Sequence, residues 1–193
     1  MKKVLAWLTE HDADLVRHLA ELVAVPSIST DGAHQQEIDQ CADLTCRLMR
    51  EAGLNNVEVL RSGNSNPYAY GEWLGAPGKP TVFLYSHNDV QPINYEADWK
   101  SPPWTLTERD GKLFARGTCD MKAFLAIGLA LLPKMLERPL KRPFHFAISY
   151  DEEVGCAGVG SMIDRMVTSL PPVHAVIVGE PSENMKPNCE TVE

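Results

Sequence analysis

Four short polar clusters hold most of the chain's capacity for metal or acid–base chemistry, and three of them directly follow apolar runs. His87-Asn88-Asp89 follows Thr81-Val82-Phe83-Leu84-Tyr85-Ser86. In an extended segment residues two apart face the same way, so His87 and Asp89 share a side. An imidazole with a carboxylate beside it suits a metal ligand whose ring is oriented by a neighbour. Gly117-Thr118-Cys119-Asp120 opens onto a long helical pattern. Asp151-Glu152-Glu153 comes straight after the run Phe144 to Tyr150. Three successive carboxylates at a strand end repel one another unless cations or shared protons relieve them. Gly179-Glu180-Pro181 follows Ala175-Val176-Ile177-Val178.

Taken singly, each cluster also has a plain structural reading. His-x-Asp and Gly-Glu-Pro are common in turns, Asp120 suits a helix N-cap, and an acidic triplet suits a solvated loop. Taken together, they sit at equivalent places, the carboxyl ends of strands, where open α/β sheets build their sites. One imidazole and several carboxylates are donors that suit zinc, cobalt or manganese. A carboxylate left off the metal is then available as a general base.

The elements that must position these residues alternate between helix and strand patterns. Leu15, Leu19, Leu22 and Val23 recur at helical spacing from Asp12 or Asp14 to Val25, where Pro26 ends the run. A second helix is predicted from Gln35 to Ala52, with Ile38, Cys41, Thr45, Leu48, Met49 and Ala52 on one face and Gly53 past its end. Strands are predicted at Val57 to Leu60, Tyr68 to Leu74, Thr81 to Tyr85, Pro143 to Tyr150 and Val173 to Val178. Helices are predicted at Met121 to Leu136 and Gly158 to Val167, and an ordered loop from Asn88 to Thr107. The pattern predicts an α/β fold, three-layer αβα, around a largely parallel mixed sheet.

Composition narrows the function classes. The 193 residues are 44% hydrophobic and 23% charged, enough for a buried core in one domain. A formal net charge of −8 argues against a nucleic-acid partner, which selects for clustered Lys and Arg. No stretch approaches the ~20 apolar residues of a membrane span, and Val4 to Leu8 is too short for a signal-peptide core. Cys41, Cys46, Cys119, Cys156 and Cys189 are dispersed and never spaced as Cys-x-x-Cys. That excludes a thiolate zinc site and predicts reduced thiols in the cytoplasm. The run Gly155 to Gly160 lacks the Gly-x-Gly-x-x-Gly spacing, and the three carboxylates before it would repel a pyrophosphate.

In their order, His87-x-Asp89, Gly117-x-x-Asp120-Met121-Lys122, Asp151-Glu152-Glu153-x-Gly155 and Gly179-Glu180-Pro181-Ser182 resemble the co-catalytic zinc hydrolases. That family includes acetylornithine deacetylase, succinyl-diaminopimelate desuccinylase, glutamate carboxypeptidase and the carnosinase-like dipeptidases. The resemblance spans about residues 12–187. It implies that His87, Asp120 and Glu180 bind one zinc, that Asp120 bridges to a second, and that Glu153 binds the second. It makes Asp89 the carboxylate that orients His87, Glu152 the general base, and the Asp120–Met121 peptide cis. In the implied reaction the two metals hold a water and polarise an amide carbonyl, while Glu152 carries the proton to the departing amine.

Tyr85 to Pro92 and Trp99 to Trp104 look like the dipeptidase branch, whereas Gly117 to Lys122 and Tyr150 to Cys156 look like the deacetylase. The second group lies nearer the metals and favours an N-acyl amino acid over a dipeptide as substrate. The resemblance also implies a smaller lid domain after Gly-Glu-Pro, often a homodimer contact, and a late histidine on the second metal. Neither has a counterpart here. Residues 1–187 are therefore expected to be the N-terminal part of the metal-binding domain, and residues 188–193 a tail that departs from the family. Little or no turnover is expected from such a part alone. His11, His18, His34, His145 and His174 are not expected to replace the missing ligand.

Overall fold

The computed structural model describes residues 2–61, 63–169 and 172–181. Ser182 and the expected tail at 188–193 lie outside these. The chain begins with α1 (Lys2–Glu10), then α2 (Asp12–Val23) and α3 (Gln35–Glu51). The sequence pattern missed α1. Its ring pair, Trp7 stacked on His11 with centroids 4.1 Å apart, lies where α1 gives way to α2. The buried face of α2 is His18, Leu19, Leu22 and Val23, and all six residues expected on the inner face of α3 are buried. α3 closes as expected from Gly53, with Gly53 N–H donating to Arg50 O and Leu54 N–H to Met49 O.

Among the described residues seven strands follow: β1 (Asn55–Leu60), β2 (Tyr68–Trp73), β3 (Thr81–His87), β4 (Thr107–Arg109), β5 (Lys112–Phe114), β6 (Phe144–Ser149) and β7 (Val173–Val178). Five of them form one sheet in the order β1-β2-β6-β3-β7. β1 and β2, joined by a short connection, pair antiparallel, and β2 pairs antiparallel with β6. β3 is parallel to both β6 and β7. The sheet is therefore mixed, and its parallel half is the half that carries the polar clusters.

Alternation along the strands feeds two cores. Phe144, Phe146 and Ile148 point to the face covered by α2, α3 and α4 (Ala123–Leu136), where Leu22, Met49, Leu125 and Leu129 are fully buried. Tyr68, Tyr70, Phe83 and Ala147 face the other side, against Met162 and Val159 of α5 (Val159–Ser169). This is the three-layer arrangement expected. Among the described residues no helix is long and apolar enough to cross a membrane.

β4 and β5 were not expected. They form a separate two-stranded hairpin turning through Asp110 and Gly111. An Asp-Gly pair between short runs is a strong local hairpin signal, so the information was present in the sequence. The helix expected from Met121 starts later. Residues Thr118–Lys122 form an irregular wide turn, and Asp120 and Met121 have non-helical backbone angles.

Candidate metal centre

Three parallel strands end side by side. His87 is the last residue of β3 and pairs in register with Ser149, the last residue of β6. The ladder runs on past both strands, with Asn88 N–H donating to Ser149 O (3.0 Å) and Gly179 N–H to Tyr85 O (3.2 Å). The chain therefore delivers His87, the 151–153 segment and Glu180 to one edge of the sheet. Two glycines permit this closeness. A Cβ at Gly179 would collide with the ring of Phe124, and one at Gly117, where φ is +79°, would lie 2.7 Å from Val90. The turn at Gly117 brings Asp120 to the same edge, and the Asp120–Met121 peptide is cis, as the resemblance implies.

The His87 ring is fully buried and is the hub. Its Nδ1 faces the backbone carbonyl of Asp89 at 3.0 Å, an acceptor that suits a proton on that nitrogen and would leave Nε2 to face a metal. Around Nε2 lie Asp120 Oδ1 at 3.0 Å, Glu180 Oε1 at 3.3 Å and Glu152 Oε2 at 3.8 Å. Among the described residues two sets have every donor atom within 4.8 Å of every other: His87, Asp120 and Glu153, and His87, Glu152 and Glu180. Both sets share His87, but neither joins Asp120 to Glu180: the first puts Glu153 beside Asp120, and the second puts Glu152, expected to stay off the metals, beside Glu180.

The electrostatics state the same need for positive charge. Burial works against a proton on His87, yet the carboxylates of Asp120, Asp89 and Glu180 outweigh it and push its pKa up to about 12. Burial raises Glu152, with Glu180 and Glu153 adding to it and His87 opposing. Burial also raises Glu153, opposed by the hydrogen bond from Gln91. A divalent cation among these groups would relieve the same repulsion, and the donor set of one imidazole with several carboxylates fits zinc, cobalt or manganese.

Asp89 behaves differently from the expectation in one respect. Its carboxylate Oδ1 is 3.4 Å from His87 Nδ1, while its own backbone carbonyl is nearer to that nitrogen. The carboxylate accepts instead from Ser29 Oγ (2.7 Å), Glu152 N–H (3.2 Å) and Glu153 N–H (3.0 Å). Asp151 is not at the centre at all. It is buried and accepts from Tyr68 Oη at 2.6 Å and from the Gly158 N–H, so the amides of the 155–160 loop serve Asp151 and not a phosphate.

Sequence reasoning missed three supports. Ser29 holds Asp89, and Gln91 Nε2 holds Glu153 Oε2 at 2.8 Å. Lys122, fully buried, donates from Nζ to Leu22 O (2.9 Å) and Val25 O (3.0 Å), tying the end of α2 to the Asp120 turn. Its place directly after Asp120-Met121 marked it as part of a motif without showing its task. Among the described residues, the other histidines stay away from the centre: His145, for example, meets Tyr70 and Glu72.

The sequence pattern described as peptidase family M20/M25/M40 matches residues 83–190, more than half of the chain. The chain belongs to that family. Its similarity to the acetylornithine deacetylase of Shigella sonnei is 36% identity over 166 residues, covering 83% of this M20 chain and 41% of that protein. Among solved structures it resembles human carnosine dipeptidase 1 with a TM-score of 0.80 and 26% identity, over 92% of this chain and 40% of that one. It also resembles the metallo-carboxypeptidase Sso-CP2 of Sulfolobus solfataricus, TM-score 0.75 and 26% identity, over 86% of this chain and 37% of that one. This M20 chain thus spans about two fifths of the length of these relatives.

Proposed function

We propose that the chain is the metal-binding part of a hydrolase that cleaves the amide bond of an N-acylated amino acid, in the manner of an acetylornithine deacetylase. The observation that carries this reading is the convergence of Asp120, Glu152 and Glu180 on one imidazole nitrogen, 3.0 to 3.8 Å from His87 Nε2. His87, Asp120 and Glu180 would hold one zinc, and Asp120 with Glu153 a second; cobalt or manganese would suit the same donors. Metal ions in such a site polarise a carbonyl and make water more acidic.

The protein's own contribution is proton handling and positioning. Glu152 takes the proton from the attacking water as its oxygen bonds to the acyl carbon, then gives it to the amine nitrogen as the C–N bond breaks. A carboxyl raised by burial, as Glu152 is, is suited to both halves of that exchange. Asp89 holds the backbone of Glu152 and Glu153, and Gln91 holds the Glu153 side chain, so the two neighbours are kept in separate tasks.

A dipeptidase is the second reading, favoured by the fold likeness to human carnosine dipeptidase 1. Assays with and without added zinc, on N-acetylornithine and on dipeptides, separate the two. They are run on the chain and on any longer in-frame product of its gene. Zinc-dependent release of acetate supports the deacetylase, and cleavage of dipeptides alone moves the reading to the second. Hydrolysis indifferent to chelator contradicts both.

A further inference from the structure

Helix α3 supplies none of the groups around the His87 ring, yet one polar side chain on its inner face reaches two of the segments that do. Thr45 shares that face with Ile38, Cys41, Leu48 and Met49 and is fully buried. A hydroxyl among apolar side chains is stable only with hydrogen-bond partners. Its partners are Asn88 and Tyr150, both fully buried as well. Asn88 lies between His87 and Asp89, and Tyr150 directly precedes Asp151-Glu152-Glu153.

The direction of these bonds follows from what each atom can do. The Tyr150 hydroxyl donates to the Cys41 carbonyl at 2.9 Å, since a carbonyl only accepts. Its one hydrogen is then used, so Tyr150 Oη accepts from the Thr45 hydroxyl at 2.7 Å. Thr45 in turn has no hydrogen left for Asn88, and accepts from Asn88 Nδ2 at 3.0 Å. The relay therefore runs one way, from Asn88 through Thr45 and Tyr150 to Cys41. Asn88 Oδ1 is buried without a partner, and the other contact of Nδ2, to Tyr150 Oη, is 3.5 Å long. Among the described residues, Thr45 thus gives the Asn88 side chain its one short hydrogen bond.

The backbone beside this relay carries the candidate metal ligands. Asn88 N–H donates to Ser149 O at 3.0 Å, and the Asp89 carboxylate accepts from the N–H groups of Glu152 and Glu153. The two segments are tied to each other at the sheet edge, and both are tied to α3 through one hydroxyl. We infer that Thr45 is a positioning residue, which sets the spacing of the 87–89 and 150–153 segments and thereby of His87 from Glu152 and Glu153. Its effect on a metal rests on the metal-centre reading; the relay does not. Without the hydroxyl, the buried Asn88 amide would keep neither end paired at ordinary distance, a cost that favours moving it.

The test compares Thr45→Val, which keeps the shape and loses the hydroxyl, with Thr45→Ser, which keeps the hydroxyl. Amide hydrogen exchange is followed by NMR on the 193-residue chain in chelator, and zinc affinity is then titrated. In Thr45→Val, exchange at Asn88, Glu152 and Glu153 should quicken about tenfold more than in β2, whereas plain destabilisation lowers protection evenly. Zinc affinity should fall about 10–100-fold, and the absorption spectrum of the cobalt-saturated chain should change. Thr45→Ser should match the parent in all three readings. If Thr45→Val does not fold, Tyr150→Phe keeps the ring in the core and breaks the tie to the second segment, so exchange at Glu152 and Glu153 should quicken. Protection lost evenly, zinc affinity equal to that of a zinc-binding parent, or Thr45→Ser behaving like Thr45→Val would overturn the inference. A parent that binds no zinc, with the local change at Asn88 still present in Thr45→Val, would support the relay and count against the metal reading alone.

Discussion

The carboxylate of Asp89 accepts the backbone N–H of Glu153 at 3.0 Å, across 64 residues of sequence. It accepts the neighbouring N–H of Glu152 at 3.2 Å and the Ser29 hydroxyl at 2.7 Å. One buried carboxylate thereby fixes both glutamates relative to the imidazole whose ring nitrogen meets the Asp89 carbonyl. Replacing it with the amide, Asp89→Asn, puts a donor where an acceptor is needed. Metal affinity should fall about 10–100-fold, the usual effect of losing an orienting partner, and stability by about 1–3 kcal/mol. Isothermal titration with zinc and urea unfolding measure the two; unchanged metal affinity would show that Asp89 does not position the centre.

Glu152 and Glu153 are adjacent and identical, yet are assigned different tasks. Glu152→Gln should leave metal binding nearly intact and lower turnover about 10²–10⁴-fold in any active form of the protein. Glu153→Gln should first weaken the second metal and lower turnover as a consequence. Metal content and initial rates of both variants, measured side by side, check this. Loss of metal in Glu152→Gln with only turnover lost in Glu153→Gln would mean that the pair is reversed.

How much of this was legible in the sequence differs from part to part. The inner face of α3 could be read because burial there follows a local period of 3.6 residues, and β7 because it is a short apolar run, although most of it is exposed at the end of the sheet. The polar ends of β3, β6 and β7 could be read because they directly follow such runs. The link from Asp89 to Glu153 and that from Tyr68 to Asp151 could not, because each joins segments more than 60 residues apart and leaves no local trace. Lys122 is the same case: a charged side chain after an aspartate reads as solvated until the open carbonyls of Leu22 and Val25 are brought over it. The β4–β5 hairpin is different, since its Asp110-Gly111 turn was visible but lay between the predicted loop, which ended at Thr107, and the predicted helix, and was assigned to no element.

Lys122 predicts a stability effect separate from the chemistry. In Lys122→Met the carbonyls of Leu22 and Val25 lose their buried donor, at a cost of about 1–3 kcal/mol for each group left unpaired. Urea unfolding should show a lower midpoint with an unchanged slope. A midpoint equal to the parent's would mean that the two carbonyls find other partners.

His145 predicts a pH effect away from the centre. Burial lowers its pKa below the ordinary 6.5, with Glu72 pulling the other way, and burial likewise lowers His18, with Arg17 adding to it. The unfolded chain therefore binds protons that the folded chain refuses. Stability is intact above 6.5 and is lost as pH falls from there towards the folded-state values. Urea midpoints in chelator, compared between about pH 8 and pH 5, should fall with acid, and less so in His145→Gln. A steeper fall in His145→Gln than in the parent would contradict the assignment.

The central claim is that the strand-end residues form a metal centre organised on His87, and zinc titration of the purified chain tests it most directly. In the proposed assignment His87, Asp120 and Glu180 would supply three donors to one metal, whereas Asp120 and Glu153 would supply two to the other. One tight and one weaker equivalent are therefore expected, the first raising the melting temperature by mass action. His87→Ala should abolish the tight equivalent, and Glu153→Gln should remove the weaker one and spare the tight one. Two equally tight zincs would contradict this division, and tight binding that survives His87→Ala would contradict the centre itself.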